Sequence, residues 1–290
     1  MRKINILVTC NNKYYKCTLV TILSVIDHNK NNNLEFIVFI DESIENTEEL
    51  ELINKKYDFV KINIVCISGL KSKYLNGVYC KNKGFISAYY RLFIFKICSN
   101  LDRILYLDSD IVCNGSLDSI FFADIEDKSI GGVREYCFNY LKSLPYTARR
   151  FEGYSKYIKK IFDYSLEECL YINSGVLLID FSKIDKEETF NNLISLAKRN
   201  NNYFHDQTII NVLFKGKIKY FDYEFNMLTD MLNNNNKRYE YRVINDYKQY
   251  FSDKKPILIH YTPCKPWQDE NVPYSEVWNK YNDILMEICS

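Results

Sequence analysis

The chain has 290 residues, 47% of them hydrophobic and 26% charged, with 38 Lys and Arg against 37 Asp and Glu for a net charge of +1. At about 150 residues per domain this is one large α/β domain or two small ones, and the apolar content excludes a disordered or collagen-like chain. So even a charge balance leaves no basic footprint, which argues against duplex nucleic acid or an acidic membrane as a partner.

The N-terminus carries two basic residues and a short apolar run interrupted by Asn5, with no small-residue cleavage site, so residues 4–8 read as a first strand and not a signal peptide. No uncharged stretch reaches the roughly 18–20 apolar residues of a membrane span. Residues 4–8, 36–40 and 62–67 are short and β-branched, as strands buried on both faces should be. Between them Leu19, Ile22, Leu23 and Ile26, then Leu50 and Ile53, fall at helical spacing. The order β-α-β-α-β opens a doubly wound sheet. A third helix over 87–99 leads into an apolar strand over 103–107 that ends in Asp108-Ser109-Asp110. Further strands are expected at 130–133, 176–180 and 257–260, and helices at 181–199, 206–213 and 274–289. Residues 136–171 and 226–250 read as irregular, with Asn233 to Asn236 as a mobile tip. The ten cysteines include no C-x-x-C pair and several sit in apolar runs, so reduced thiols and the cytosol are expected.

Ligands of open α/β sheets bind beyond the carboxyl ends of strands, and the acidic triplet lies at such an end. Two carboxylates two residues apart in extended chain project to one side and form a hard oxygen site for Mg²⁺ or Mn²⁺, with positions left for phosphate oxygens. Two other readings stay open on the triplet alone. Its acids cap the next turn, or Asp108 is the nucleophile of a haloacid-dehalogenase-like phosphatase. The phosphatase reading ranks lower because its early nucleophile and its later Gly-Asp-x-x-x-Asp loop are both absent. Near the other end His260 closes a strand and Lys265 follows, supplying a borderline metal ligand and a cation for phosphate. A lone His beside an aromatic is also compatible with a packed surface residue.

Asp108-Ser109-Asp110, Asn173-Ser174-Gly175-Val176-Leu177-Leu178-Ile179, His205-Asp206-Gln207 and His260-Tyr261 with Lys265-Pro266-Trp267 together resemble glycosyltransferase family 8, over nearly the whole chain. The resemblance implies a single GT-A domain over 1–290, a Rossmann-like doubly wound mixed sheet with Asp-x-Asp after a central strand. Its parts would be a nucleotide-binding half at 1–110, a donor-sugar and acceptor half at 111–267 and a C-terminal helix at 268–290. It makes Asp108, Asp110 and His260 ligands of Mn²⁺ or Mg²⁺. Asn11, Tyr14, Arg91, Asp108, Ser109, Asn173, Ser174 and Lys265 become donor-binding residues for a UDP-sugar, and Gln207 and Asp206 the catalytic pair. Outside the resemblance, Arg91 reads as a helix-surface arginine, Asn-Ser-Gly as a turn and Asp206-Gln207 as a helix N-terminus.

Two departures stand out. Asn11 replaces the family's base-contacting Asp, and the segment from His260 to Lys265 is one residue short and contains Pro263. The activity implied is retaining transfer of glucose or galactose from UDP to a saccharide, glycolipid or glycoprotein. With Gln207 where a nucleophilic carboxylate would be needed, front-face attack is expected. The family's basic-aromatic membrane tail has no counterpart in the 23 residues after Trp267, so a cytosolic enzyme is expected, touching the inner membrane face when its acceptor is lipid-linked. The rival from another class is an inactive nucleotide-sugar or carbohydrate-binding protein.

Overall fold

In the computed structural model, residues 1–80, 83–98, 100–136, 148–166, 168–200, 204–233 and 241–290 are described. The first apolar run forms β1 (Arg2–Thr9), followed by β2 (Asn32–Ile40), β3 (Val60–Cys66), β4 (Arg103–Leu107), β5 (Ile111–Cys113), β6 (Ile130–Arg134), β7 (Ile172–Asp180), β8 (Ile218–Phe221), β9 (Met227–Leu228) and β10 (Leu258–His260). Seven strands make one sheet in the order β3-β2-β1-β4-β7-β6-β8. β1, β2, β3 and β4 are mutually parallel, and β7 runs antiparallel between β4 and β6.

Period-two alternation splits the side chains of this sheet between two cores. Ile4, Ile6, Val8, Leu105, Leu107, Val176 and Leu178 face one cluster, with helices Tyr15–His28 and Ser275–Cys289. Leu7, Ile104, Tyr106, Leu177 and Ile179 face the other, with helices Lys186–Arg199 and His205–Leu213. β3 differs from expectation. As the edge strand it buries Val60 but exposes Ile64, because nothing among the described residues pairs its far side.

Other boundaries moved for local reasons. The expected helix over 181–199 is a 3₁₀ turn, Phe181–Lys183, and then an α-helix that starts anew where the Asp185 side chain accepts from the Glu188 N–H at 2.9 Å. The expected helix over 87–99 is a long 3₁₀ segment, Lys83–Phe93, with a single α-turn, Ile94–Ile97. Its tighter winding is anchored by tertiary bonds, Tyr90 donating to Asp41 at 2.5 Å and Arg91 reaching two carboxylates. The segments read as irregular contain helices Ala148–Phe162 and Tyr241–Tyr250. Of the expected Asn-rich tip, residues 234–236 lie outside the described residues.

A second, small sheet, β5-β10-β9, is attached at the carboxyl end of β4. It positions the site.

Candidate active site

After Arg103, β4 is buried from Ile104 to Leu107, so its direction is set by the core, and the chain leaves it as a turn at Asp108-Ser109-Asp110. The triplet is not extended, as the sequence reading had supposed. Ile111 N donates to Asp108 O at 3.2 Å across the turn, and Thr21 Oγ1 donates to the main-chain oxygens of Ser109 and Ile111 at 3.2 and 2.7 Å. The turn feeds β5, which pairs antiparallel with β10 so that His260 lies opposite Ile111, and Tyr261 N donates to Asp110 O at 3.0 Å. One ligand atom from each of Asp108, Asp110 and His260 then lies within 4.8 Å of the others. His260 Nε2 is 3.2 Å from Asp110 Oδ1 and 3.8 Å from Asp108 Oδ2.

Two carboxylates and one imidazole form a donor set suited to Mn²⁺. The backbone makes room for this cluster at Gly175. A Cβ there would stand 2.5 Å from His260 Cε1 and 2.9 Å from Asp108 Oδ2, so only glycine lets the imidazole and the carboxylate close on the strand. Lys265, almost fully buried, places its ammonium on Asp110 and on the Tyr261 carbonyl. Burial would raise the Asp110 pKa, but the buried Lys265 ammonium outweighs it and holds the carboxyl well below its usual range.

Arg91 connects this cluster to a second one. It is buried, not a surface residue. Its Nη2 is 2.7 Å from Asp108 Oδ1, its Nε 3.0 Å from Asp206 Oδ2, and its Nη1 donates to the Ser174 carbonyl. The guanidinium lies over the Tyr106 ring at 4.6 Å, and the Tyr106 hydroxyl donates to Asp108 Oδ1 at 2.6 Å. Burial opposes the Arg91 charge, yet Asp108 and Asp206 outweigh it and push the group above its ordinary range. At Asp206 the balance goes the other way. Burial dominates over Arg91, Asp108 adds repulsion, and the carboxyl is raised to about 6.

The facing wall is β7. Between Gly132 and Val133 the β6 register jumps from Leu177 to Asn173, so Ser174, Gly175 and Val176 bulge out of that pairing, and the Asp108 N–H donates to the Gly175 carbonyl at 2.8 Å. Ser174 Oγ donates to Asp206 Oδ2 at 2.9 Å, and Ser174 N to Gln207 Oε1 at 3.1 Å. Gln207 is partly exposed in the first turn of His205–Leu213, two residues after His205, whose φ of +31° is a conformation a residue with a Cβ rarely adopts.

Residues 5–271 match the family model described as Glycosyl transferase family 8. The chain belongs to that family. Among relatives of this family 8 chain, GlyF of Streptococcus pneumoniae serotype 4 is 27% identical over 292 residues, covering 98% of this chain and 62% of GlyF. The lipopolysaccharide 1,2-glucosyltransferase of Escherichia coli K12 is 26% identical over 272 residues, covering 92% of this chain and 73% of that enzyme. The galactosyltransferase LgtC, crystallised with donor and acceptor sugar analogs, superposes with a TM-score of 0.75 at 22% identity over 97% of this chain and 96% of LgtC. The shared fold is GT-A. The family 8 chain thus spans about three fifths of GlyF's length.

Of the remaining sequence candidates, Asn11 caps the 3₁₀ turn Asn12–Tyr14, accepting from Tyr14 N at 3.3 Å, and its Nδ2 donates to Ser87 at 3.4 Å. Tyr14 stands edge-on to Trp267 at 6.2 Å, which ties the end of β1 to the loop that carries Lys265. The Ser174 hydroxyl is committed to Asp206, and Ser109 is held through its main chain. Sequence reasoning missed Tyr106 and Asn226, and quoted Gly175 in a motif without giving it a role. Tyr106 was findable, because it lies two residues before Asp108 in a run of strand chain. Asn226 gave no local signal.

Proposed function

We propose that the chain is a retaining, metal-dependent hexosyltransferase that moves glucose or galactose from a UDP-sugar to a saccharide, glycolipid or glycoprotein acceptor, residues 1–290 acting as one domain with the halves drawn above. The carrying observation is the convergence of Asp108, Asp110 and His260 beside the Arg91–Asp206 pair, from strands and helices far apart in sequence. Relatives named as a glucosyltransferase and a galactosyltransferase support a hexose as the group transferred.

A divalent cation, Mn²⁺ or Mg²⁺, held by Asp108, Asp110 and His260 would stabilise the charge that develops on the leaving diphosphate. Lys265 adds a cation from the same loop, and Asn11, Tyr14 and Ser109 line the nucleotide side of the cleft. Arg91, Asn173 and Ser174 order the wall against which the sugar lies. Asp206 is a poor nucleophile: it is buried, paired with Arg91 and bonded by Ser174. The Gln207 amide is a poor one as well, and with one lone pair of its oxygen on Ser174 N it offers the other to positive charge at the anomeric carbon. Attack therefore comes from the face the nucleotide leaves, and a departing phosphate oxygen takes the acceptor's proton. Cys10, Cys17, Cys98 and Cys113 are free thiols, which fits a reducing compartment such as the cytosol, at the inner membrane face when the acceptor is a lipid. No helix among the described residues is long and apolar enough to cross a membrane.

The test is UDP release from UDP-glucose, UDP-galactose and UDP-N-acetylhexosamines with Mn²⁺ and with excess chelator. Release from a UDP-hexose that chelator abolishes is expected. Full activity in chelator would refute the metal, and tight UDP-sugar binding without release from any donor would favour an inactive binding protein.

A further inference from the structure

We propose that Asn226 is a positioning residue that fixes the tautomer of His260, so that Nε2 presents a lone pair to the cation site; the inference rests on the metal-site reading above. Four side chains form a relay behind the site, Glu135, Asn173, Asn226 and His260. The direction of its protons follows from groups of fixed polarity at Asn173. An ionised carboxylate only accepts, and Glu135 Oε2 lies 3.0 Å from one Asn173 side-chain atom, which is therefore the amide nitrogen. A main-chain N–H only donates, and Gly175 N lies 2.9 Å from the other, which is therefore the oxygen. Two independent contacts thus agree on the orientation of one amide.

The remaining steps are forced. Asn173 Oδ1 also faces Asn226 at 3.0 Å, so Asn226 turns its Nδ2 there and its Oδ1 toward His260 Nδ1 at 2.9 Å. An amide oxygen has no proton to give, so His260 Nδ1 carries one. In the neutral imidazole Nε2 then holds the lone pair, and Nε2 is the atom that points at Asp110 and Asp108. The opposite tautomer would place an N–H against Asp110, a satisfied hydrogen bond that obstructs a cation. Asn226 and His260 are 2% and 4% exposed, so solvent is a poor substitute for the amide. Partners of this kind orient ligating histidines, and losing one typically costs about 10–100-fold in metal affinity.

The first test needs no variant at the proposed residue. Long-range ¹H–¹⁵N NMR of the chelator-treated full chain, at a pH where the imidazole is neutral and with His260 assigned through His260→Gln, should show Nδ1 protonated and Nε2 bare. An Nε2–H tautomer overturns the proposal whether or not metal binds. The second test follows Mn²⁺ binding in the presence of UDP by electron paramagnetic resonance. Asn226→Leu should weaken Mn²⁺ by about 10–100-fold, whereas Asn226→Asp, which still accepts the Nδ1 proton, should recover most of that loss. Equal affinity for the wild type and a folded Asn226→Leu also overturns it. Asp110→Ala and His260→Gln report separately on the metal site: if both bind Mn²⁺ as the wild type does, the metal reading fails while the NMR result still decides the tautomer. Should Asn226→Leu not fold, the NMR result and Asn226→Asp carry the test.

Discussion

In β1 and β4 of the large sheet the buried side chains are almost all apolar and pack into continuous cores on both faces, and β5, β10 and β9, of only three, three and two residues, are buried and apolar as well except for His260 at the end of β10. The large sheet is held by burial, which is non-directional and tolerant of sequence change. The small one is buried too, but the turn and the loop that flank it are fixed by individual directional contacts, such as Tyr261 N on Asp110 O and the Thr21 hydroxyl on Ser109 and Ile111. The large sheet is thus a scaffold, and the turn and loop around the small one carry the candidate site, and substitutions should separate the two.

The largest effect is expected at the small sheet's edge. Asp110→Ala should remove metal-dependent UDP binding and lower transfer by roughly 10³-fold or more, several kcal/mol of transition-state stabilisation; calorimetry showing unchanged UDP affinity would contradict the assignment. In the large sheet, Leu105→Ala deletes a fully buried side chain and should cost about 2–5 kcal/mol of stability by urea unfolding. Turnover per folded molecule should stay within about twofold, as long as the cavity is remote from the cleft. A matching loss of turnover would show that the two regions are not separable.

Gln207→Ala tests the seam between them. It should cost roughly 2.7–4 kcal/mol in kcat/KM, the range for one lost electrostatic partner, with product still of α configuration. An adduct one hexose heavier, seen by mass spectrometry of the wild type with donor alone, would replace front-face attack with a covalent route. The smallest effect belongs to Asp180, at the end of β7 and 2.7 Å from Arg103. Burial raises its pKa, but Arg103 and Ser182 outweigh burial and hold it below the usual carboxylate range. With the folded value depressed, the contribution to stability is present above the unfolded value near about 4 and lost as pH falls through the folded one. Thermal melts should weaken on acidification below about pH 4, and Asp180→Asn should flatten that fall by about 0.2–1 kcal/mol, the range of a solvent-screened pair.

The long elements were legible because each covers several periods of its own pattern. Helix Tyr15–His28 shows Leu19, Ile22, Leu23 and Ile26 within four turns, and β4 is a clean apolar run that stops at an acid. β5, β8 and β9 span one or two periods at most, so their hydrophobic pattern carries almost no information. The acidic triplet was found for a reason that proved wrong in detail. A turn, not extended chain, brings the two carboxylates to His260, and that turn is held by Thr21, some 90 residues earlier in sequence. Arg91, Asp206 and Gln207 were named through the resemblance alone, because the bonds that join them to Asp108 and Ser174 bridge segments distant in sequence.

The pairing of His260 with Ile111 also sets a schedule for assembly. Asp110 and Lys265 are 155 residues apart, and Asp27 meets Lys280 across 253. Contacts of such sequence separation close only after the loop entropy between them has been met, so they form late and fold slowly. A ribosome releases the two carboxylates long before β10 exists, and a chain interrupted between Asp110 and Leu258 holds the acids without the imidazole and the ammonium that meet them here.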